Sequence, residues 1–468
     1  MSHNTPCLPG MHLYQAKKRI VGKAENDGLS GIRDFLRGKI DMRGLGKRNE
    51  SGANSRKRIF DRANVFILFL TQVLAGISCG QTVKFVQGGR SAKGQGWISS
   101  NTSAYCQGRN RLELSFLKKI FARLSSLLSS GASAGWRGFK VIVVDGTGLD
   151  MPDTPKNRKA YPPRREKAAG TGFPYLNMVA VFDLFSGGAV DWESGNKHCG
   201  EQVLWKSLMR RISMAGTIIL GDCYYCSFGN IATIMRKGGQ CIFPLERYLV
   251  SMEKIRRLGK GESLVRLKKP SARAGSWTKR QWGMFPDFII LRLIERTICV
   301  PGFKAKKIRL LTTLTDACAY PADEIVSIQK RRWDAELRFR DIKTAMGMDH
   351  LSCKTPTMVE KEVTMFMIAY NLVRSMMAEA ARSSDVPATR LSFSSSAAQV
   401  EEWMRIMLLR KAVVGKSELM RQFICSLAEC VVPLRPGRNE PRVVKRTDQR
   451  FPKMKVPRKT YHMQRKAA

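Results

Sequence analysis

In the segment Gln329 to Lys343, QKRRWDAELRFRDIK, one carboxylate stands between two cations, with Arg332, Glu336 and Lys343 four and seven residues apart. At ~100° per residue a helix points all three within ~40° of one direction. Such a face suits phosphodiester chemistry: the carboxylate holds a divalent metal, and Arg332 and Lys343 hold the phosphates on either side of the scissile bond. A solvated face with helical ion pairs has the same pattern. Two upstream aspartates favour the first reading.

Asp145 closes the β-branched run of FKVIVVDGTG, and Asp222 closes TIILGD. Each is expected at the C-terminal end of a core strand, where side chains leave the sheet and converge. Two-metal phosphoryl chemistry needs carboxylates that share hard cations, and Asp145, Asp222 and Glu336 are candidates. Asp145 before Gly-Thr-Gly also suits a turn.

Composition narrows the partner. The 468 residues carry 81 Lys and Arg against 38 Asp and Glu, a net charge of +43. That excess calls for a polyanion: DNA, RNA or an acidic membrane. The longest apolar stretch, around Val65 to Gly76, contains Thr71 and Gln72 and falls short of the ~18 residues of a membrane span. The N-terminus lacks an apolar segment of the secretory kind, so a cytoplasmic, nucleoid-associated protein without a membrane partner is expected. The 12 cysteines are scattered and are expected to be reduced. Cys223 and Cys226 have dithiol spacing, but no second such pair or paired histidine completes a zinc site, and His198 reads as structural. A phosphate-binding nucleotide loop is missing, and GTGFP does not follow the dinucleotide fingerprint.

Texture divides the chain into six parts. Residues 1–55 read as a basic, loosely ordered lead segment and 56–135 as a helical DNA-binding domain. An α/β core is expected over 136–247 and 319–385, interrupted by a β-rich insertion at 248–318. Residues 386–468 read as helices and a basic tail, whose last 35 residues hold 12 Lys or Arg and two acidic residues among prolines. An extended arm on a phosphate backbone and a solvated tail fit that tail equally.

At three ordered points the chain resembles insertion-sequence transposases of the DDE superfamily, in the family marked by a Tyr-Arg-Glu-Lys signature. VVDGTGLDMPDTPKN with the following GTGFP matches the segment of the first catalytic aspartate, and IILGDCYYCSF that of the second. Arg332, Glu336 and Lys343 match the signature itself. RKRIFDRANVFILFLTQVLAG, SSNTSAYCQGRNRL and RPGRNEPRVVKR extend the likeness over most of residues 56–460. The resemblance implies a ribonuclease-H-like catalytic core with a β-strand insertion, and Asp145, Asp222 and Glu336 as ligands of two Mg²⁺ ions, or Mn²⁺ in their place. It also implies double-stranded DNA as substrate, both element ends and target, and a homodimer in the DNA-bound complex. The activity implied is strand cleavage that exposes a 3′-hydroxyl, then transfer of that strand.

Two positions depart from the family. Gln329 stands at the signature tyrosine, where the resemblance implies a phosphate contact with Arg332 and Lys343, and Cys223 replaces an arginine that often follows the second aspartate. In the basic insertion, Trp277 and Trp282 of SWTKRQWGM either stack on a displaced base or cover the insertion's apolar side, and Trp333 is expected to pack in the core. A nuclease on the same core, or a DNA-binding protein descended from a transposase without its catalysis, are the competing functions.

Overall fold

Two side chains fix where the first helices begin. Asp61 accepts the Asn64 N–H at 2.7 Å and caps α1 (Arg62–Leu74), and Ser78 forms a capping box with Gln81 at α2 (Cys79–Ala92). α3 (Ser103–Arg111) and α4 (Leu114–Ser130) follow. Within this group α1 is buried throughout Val65–Leu74, which is why its apolar run lacks a polar stripe. The Tyr105 hydroxyl donates to Gln72 at 2.7 Å, and the Arg109 guanidinium lies 4.8 Å over Phe69. Gly108 permits the close approach, since a Cβ there would meet Val65 at 2.6 Å.

The computed structural model describes residues 59–130, 135–164, 172–246, 252–273, 276–298, 306–384, 386–409 and 416–433, with Leu36, Ile40, Val456, Thr460, Met463 and Gln464. The expected lead segment over 1–55 and the basic arm from Leu434 therefore lie, but for those single residues, outside the described residues. The chain divides into two units, 1–124 with 361–431 and 125–360 with 432–468. Among the described residues no single helix is long and apolar enough to cross a membrane.

Among the described residues, the second unit holds a nine-stranded sheet. β1 (Lys140–Asp150), a short α5 (Pro155–Ala160), β2 (Tyr175–Asp183), β3 (Ala189–Gly195), α6 (Glu201–Arg211), β4 (Thr217–Leu220), α7 (Phe228–Arg236) and β5 (Gln240–Pro244) come in that order. β1, β4 and β5 are parallel neighbours, and β2 and β3 extend the sheet antiparallel beyond β1. Val141–Val144 and Thr217–Leu220 are wholly buried, as strands covered on both faces must be. Ile142, Val144 and Ile219 meet Trp205 and Leu208 of α6 in one apolar cluster.

The basic insertion joins the same sheet. β6 (Met252–Gly259), β7 (Glu262–Lys268), α8 (Lys279–Gly283), β8 (Phe288–Ile298) and β9 (Lys306–Thr312) form a meander that docks through β9 antiparallel to β5. The strand order is β3-β2-β1-β4-β5-β9-β8-β7-β6. Arg292, fully buried on β8, pairs with Glu262 of β7 and donates to the Tyr320 carbonyl at 2.6 Å.

After β9, the chain runs through α9 (Ala322–Lys330), a 3-10 turn at Arg331–Trp333, α10 (Asp334–Arg340) and a π-helical turn at Asp341–Ala345. Phe339 of α10 stands edge-on to Phe182, 5.2 Å between ring centroids, which holds α10 against the sheet. α11 (Pro356–Ser384) spans the boundary between the units, and α12 (Phe393–Leu409) and α13 (Lys416–Ala428) belong to the helical one. There Arg405 of α12 lies 5.8 Å over Phe85 of α2.

Candidate active site

Register brings the two aspartates together. Val143 pairs with Leu220 across the parallel β1 and β4, and each carboxylate follows two residues later. Asp222 lies just past the end of its strand, as expected. Asp145 does not end β1: antiparallel pairing with β2 carries the strand on to Asp150, while the parallel partner stops at Leu220. Asp145 therefore borders the notch left where β4 ends.

Each aspartate has one oxygen engaged by backbone. Asp145 Oδ1 accepts the Gly146 N–H at 2.8 Å, and Asp222 Oδ1 accepts the Tyr224 N–H at 2.9 Å, capping the 3-10 turn Cys223–Tyr225. Burial pushes the Asp145 carboxyl up to about 6, against the Gly146 N–H and Arg332, and the charges of Asp222 and Glu336 add to the rise. All three carboxylates thus share one electrostatic environment.

The Gln329–Lys343 segment reaches this site, although not as one helix. Its 3-10, α and π turns break the uniform pitch assumed from spacing. Arg332 is 3.6 Å from Glu336 and lies 5.0 Å over the Trp333 ring. Lys343 donates to Thr147 Oγ1 and to the Gly148 carbonyl, both at 3.2 Å, and so grips β1 just beyond Asp145. Gln329, offered by resemblance as a phosphate contact, is only 7% exposed. Its amide donates to the Gly221 carbonyl at 3.2 Å, which fixes the backbone immediately before Asp222.

The tryptophans change places. Trp333, expected in the core, is 57% exposed because the 3-10 turn rotates it off the buried face. Trp277, offered for base stacking, is 5% exposed, with the Lys206 ammonium 4.6 Å over its ring and Phe285 edge-on. Trp282 is partly buried against Phe228 and Phe285. A cleft of about 660 Å³ opens beside Asp222, bordered by Glu246, Lys307, Arg309, Lys330 and Trp333. The sequence reading missed those three cations, which come from two distant segments.

Asp145 and Asp222 suit a hard divalent cation by donor type, by a second oxygen with no protein hydrogen bond among the described residues, and by the negative charge that raises the Asp145 carboxyl. Glu336 is turned to Arg332, and among the described residues no three acidic, histidine or cysteine side chains are gathered closely enough to hold one ion. Cys223 and Cys226 are free thiols, and burial pushes Cys226 up to about 12, so neither a zinc half-site nor a reactive dithiol is built here.

The family model described as the transposase DDE domain matches residues 136–372. The chain is similar to the transposase InsG of insertion sequence element IS4 from Escherichia coli (strain K12), with 31% identity over 359 residues, 75% of this chain and 78% of that protein. Among solved structures it is similar to the piggyBac transposase in a synaptic complex with hairpin DNA, at 11% identity and a TM-score of 0.43, over 89% of this chain and 88% of that one. With a DDE domain over half its length and that degree of identity to the IS4 enzyme, the chain belongs to the DDE transposases of the IS4 family.

Proposed function

We propose that this transposase binds the terminal inverted repeats of its own mobile element as double-stranded DNA, and cleaves and transfers strands at Asp145, Asp222 and Glu336. The observation that carries the reading is the pair of aspartates at equal offset beyond the Val143–Leu220 pair, with Glu336 and Arg332 acting on the first of them. The β3-β2-β1-β4-β5 order, with a parallel centre and an antiparallel flank, supports a ribonuclease-H-like core over 136–247 and 319–385. The helices of 56–135 would then grip DNA outside the cleavage point, and a homodimer would pair the two element ends.

Asp145 and Asp222 would hold the cation, with Glu336 drawn to it from Arg332; when bound it would supply Lewis-acid charge to the phosphodiester oxygens and the attacking hydroxyl, Mg²⁺ fitting these donors best. Arg332, already set against the carboxylates, offsets charge that builds on the phosphate in the transition state. Lys343 holds β1 in place through Thr147 and Gly148. Exposed Trp333 at the cleft rim offers an indole face to an unstacked base.

The test is Mg²⁺-dependent cleavage of an end-containing duplex by the wild type and by Asp145→Ala, Asp222→Ala and Glu336→Ala. Cleavage by the wild type and its loss in all three is expected. Equal cleavage by all four proteins would sink the assignment, and tight DNA binding by an inactive wild type would point to a binding protein instead.

The cleft makes a separate prediction. Lys307 and Lys330 are exposed at its wall, and each phosphate they neutralise releases a counterion. The double variant Lys307→Ala/Lys330→Ala should flatten the slope of log K against log salt by about 2 for duplex DNA. An unchanged slope would place the DNA elsewhere.

A further inference from the structure

Glu201 begins α6, and its carboxylate occupies the space directly over Gly146. A Cβ on Gly146 would lie 2.5 Å from Glu201 Cδ and 2.8 Å from each carboxylate oxygen, so the glycine beside Asp145 is what lets this acid in. The start of α6 is tied to the turn that carries Asp222. Gln202 Nε2 donates to the Tyr224 carbonyl at 2.5 Å, and Asn230 donates to Gln202 Oε1 at 2.9 Å and to the Tyr225 carbonyl at 3.0 Å. Burial raises the Glu201 carboxyl, and the charge of Asp222 adds to the rise while Arg164 opposes it. Arg164 is itself engaged with Tyr175, its Nη1 donating to the hydroxyl at 3.2 Å. Asp222 thus acts on two other acids, Asp145 and Glu201.

A second observation points to a missing ligand. Tyr225 is 0% exposed, and its hydroxyl finds no hydrogen-bond partner among the described residues. Glu201, Asp145 and Asp222 all act on it electrostatically, so the buried phenol lies within reach of the three acids. A buried hydroxyl left without a partner is costly. The same place therefore holds crowded negative charge and an unused donor.

We propose that Glu201 is a fourth acid of the active site, holding a divalent cation together with Asp222, with the Tyr225 hydroxyl hydrogen-bonded to the ion's coordination shell. The inference rests on the metal-dependent reading above, and extends it with a residue outside the three signature acids. Arg332 offsets the charge on the Asp145 side. On the Glu201 side Arg164 offsets part of the charge, and the cation would take up the rest.

The experiment measures Mn²⁺ binding to the full-length protein without DNA, by the electron paramagnetic resonance signal of the free ion, alongside thermal melts. Glu201→Gln should weaken Mn²⁺ at least about 10-fold with little change in melting temperature, a size typical of lost shell contacts. Gly146→Ala should weaken it as well, by displacing Glu201 while leaving every carboxylate in the chain. Tyr225→Phe should do so to a smaller degree. Wild-type affinity in Glu201→Gln, with Asp145→Asn impaired, would overturn this inference and leave the proposed function standing. No Mn²⁺ binding by the wild type would overturn both. Should Glu201→Gln fail to fold, unchanged affinity in Gly146→Ala and Tyr225→Phe overturns the role of Glu201.

Discussion

Asp145→Asn is expected to reduce strand cleavage on the order of 10³-fold, the scale of removing a group that stabilises transition-state charge, and yet to leave a protein that melts no lower than the wild type. The two outcomes have one cause. In the folded chain the carboxyl rises from 3.8 to about 6, first through burial and then through Asp222 and Glu336. A folded value above the unfolded one means that the native state binds the extra proton, so stability falls as the pH rises between about 4 and about 6. Above that window the charged carboxylate costs up to about 3 kcal/mol, a figure that its partial access to water reduces. Asparagine removes the charge and keeps an oxygen for the Gly146 N–H. Thermal melts from pH 4 to pH 8 should therefore show the variant at or above the wild type at pH 8, with the gap closing toward pH 4. Added Mg²⁺ should raise the wild-type melting temperature more than that of the variant, since a cation that binds only the folded site stabilises it by mass action. A variant that melts well below the wild type at pH 8 would show that Asp145 is structural.

Why the sequence disclosed Asp222 more accurately than Asp145 follows from how strands pair. TIIL is short, apolar and stopped by Gly-Asp, and its end is a local property. The length of β1 depends on two partners at once: β4 leaves it at Val143 and β2 holds it to Asp150, and neither limit is written into VIVVDGTG. The strands of the insertion were readable from alternation in SLVRLKK and FIILRLIERTI. Their place in the same sheet was not, because Ile242 pairs with Thr312 across 70 residues. Around Glu336, a single 100° step per residue put Arg332 beside Glu336, 3.6 Å away, but Lys343 turns instead to Thr147 and Gly148 of β1. It misjudged Trp333 and Gln329, whose exposure depends on the 3-10 turn and on the carbonyl of Gly221. Trp277 could not be assigned from its neighbours in sequence, since what covers it is Lys206 of α6. Glu201 left only a faint trace, an acid in the first turn of a helix, where a favourable dipole is reason enough to find one.

Arg292→Leu should destabilise the chain by about 3–5 kcal/mol, the usual consequence of breaking a buried ion pair by removing one partner. Arg292 is fully buried in β8, between Leu264 of β7 and Thr312 of β9. Its guanidinium pairs with Glu262 and donates to the carbonyls of Tyr320 at 2.6 Å and Asp316 at 3.4 Å. Leucine fills much of the volume but leaves those carbonyls without their donor. Glu262 keeps Arg296, 2.5 Å away, so the loss stops short of a fully stranded charge. Burial pushes the Glu262 carboxyl up, and hydrogen bonds from Arg296 and Arg292 carry it below its usual 4.5. A lowered folded value contributes stability that is present above 4.5 and lost as the pH falls through the folded value, so the variant should lose less on acidification than the wild type. Urea unfolding at pH 7 and pH 4 measures both effects. Adding Glu262→Gln to Arg292→Leu should cost less than the sum of the two single changes, because the acid has already lost one of its two cations. Since β9 pairs with β8 and carries Lys307 to the cleft, DNA affinity should fall in step with the unfolded fraction.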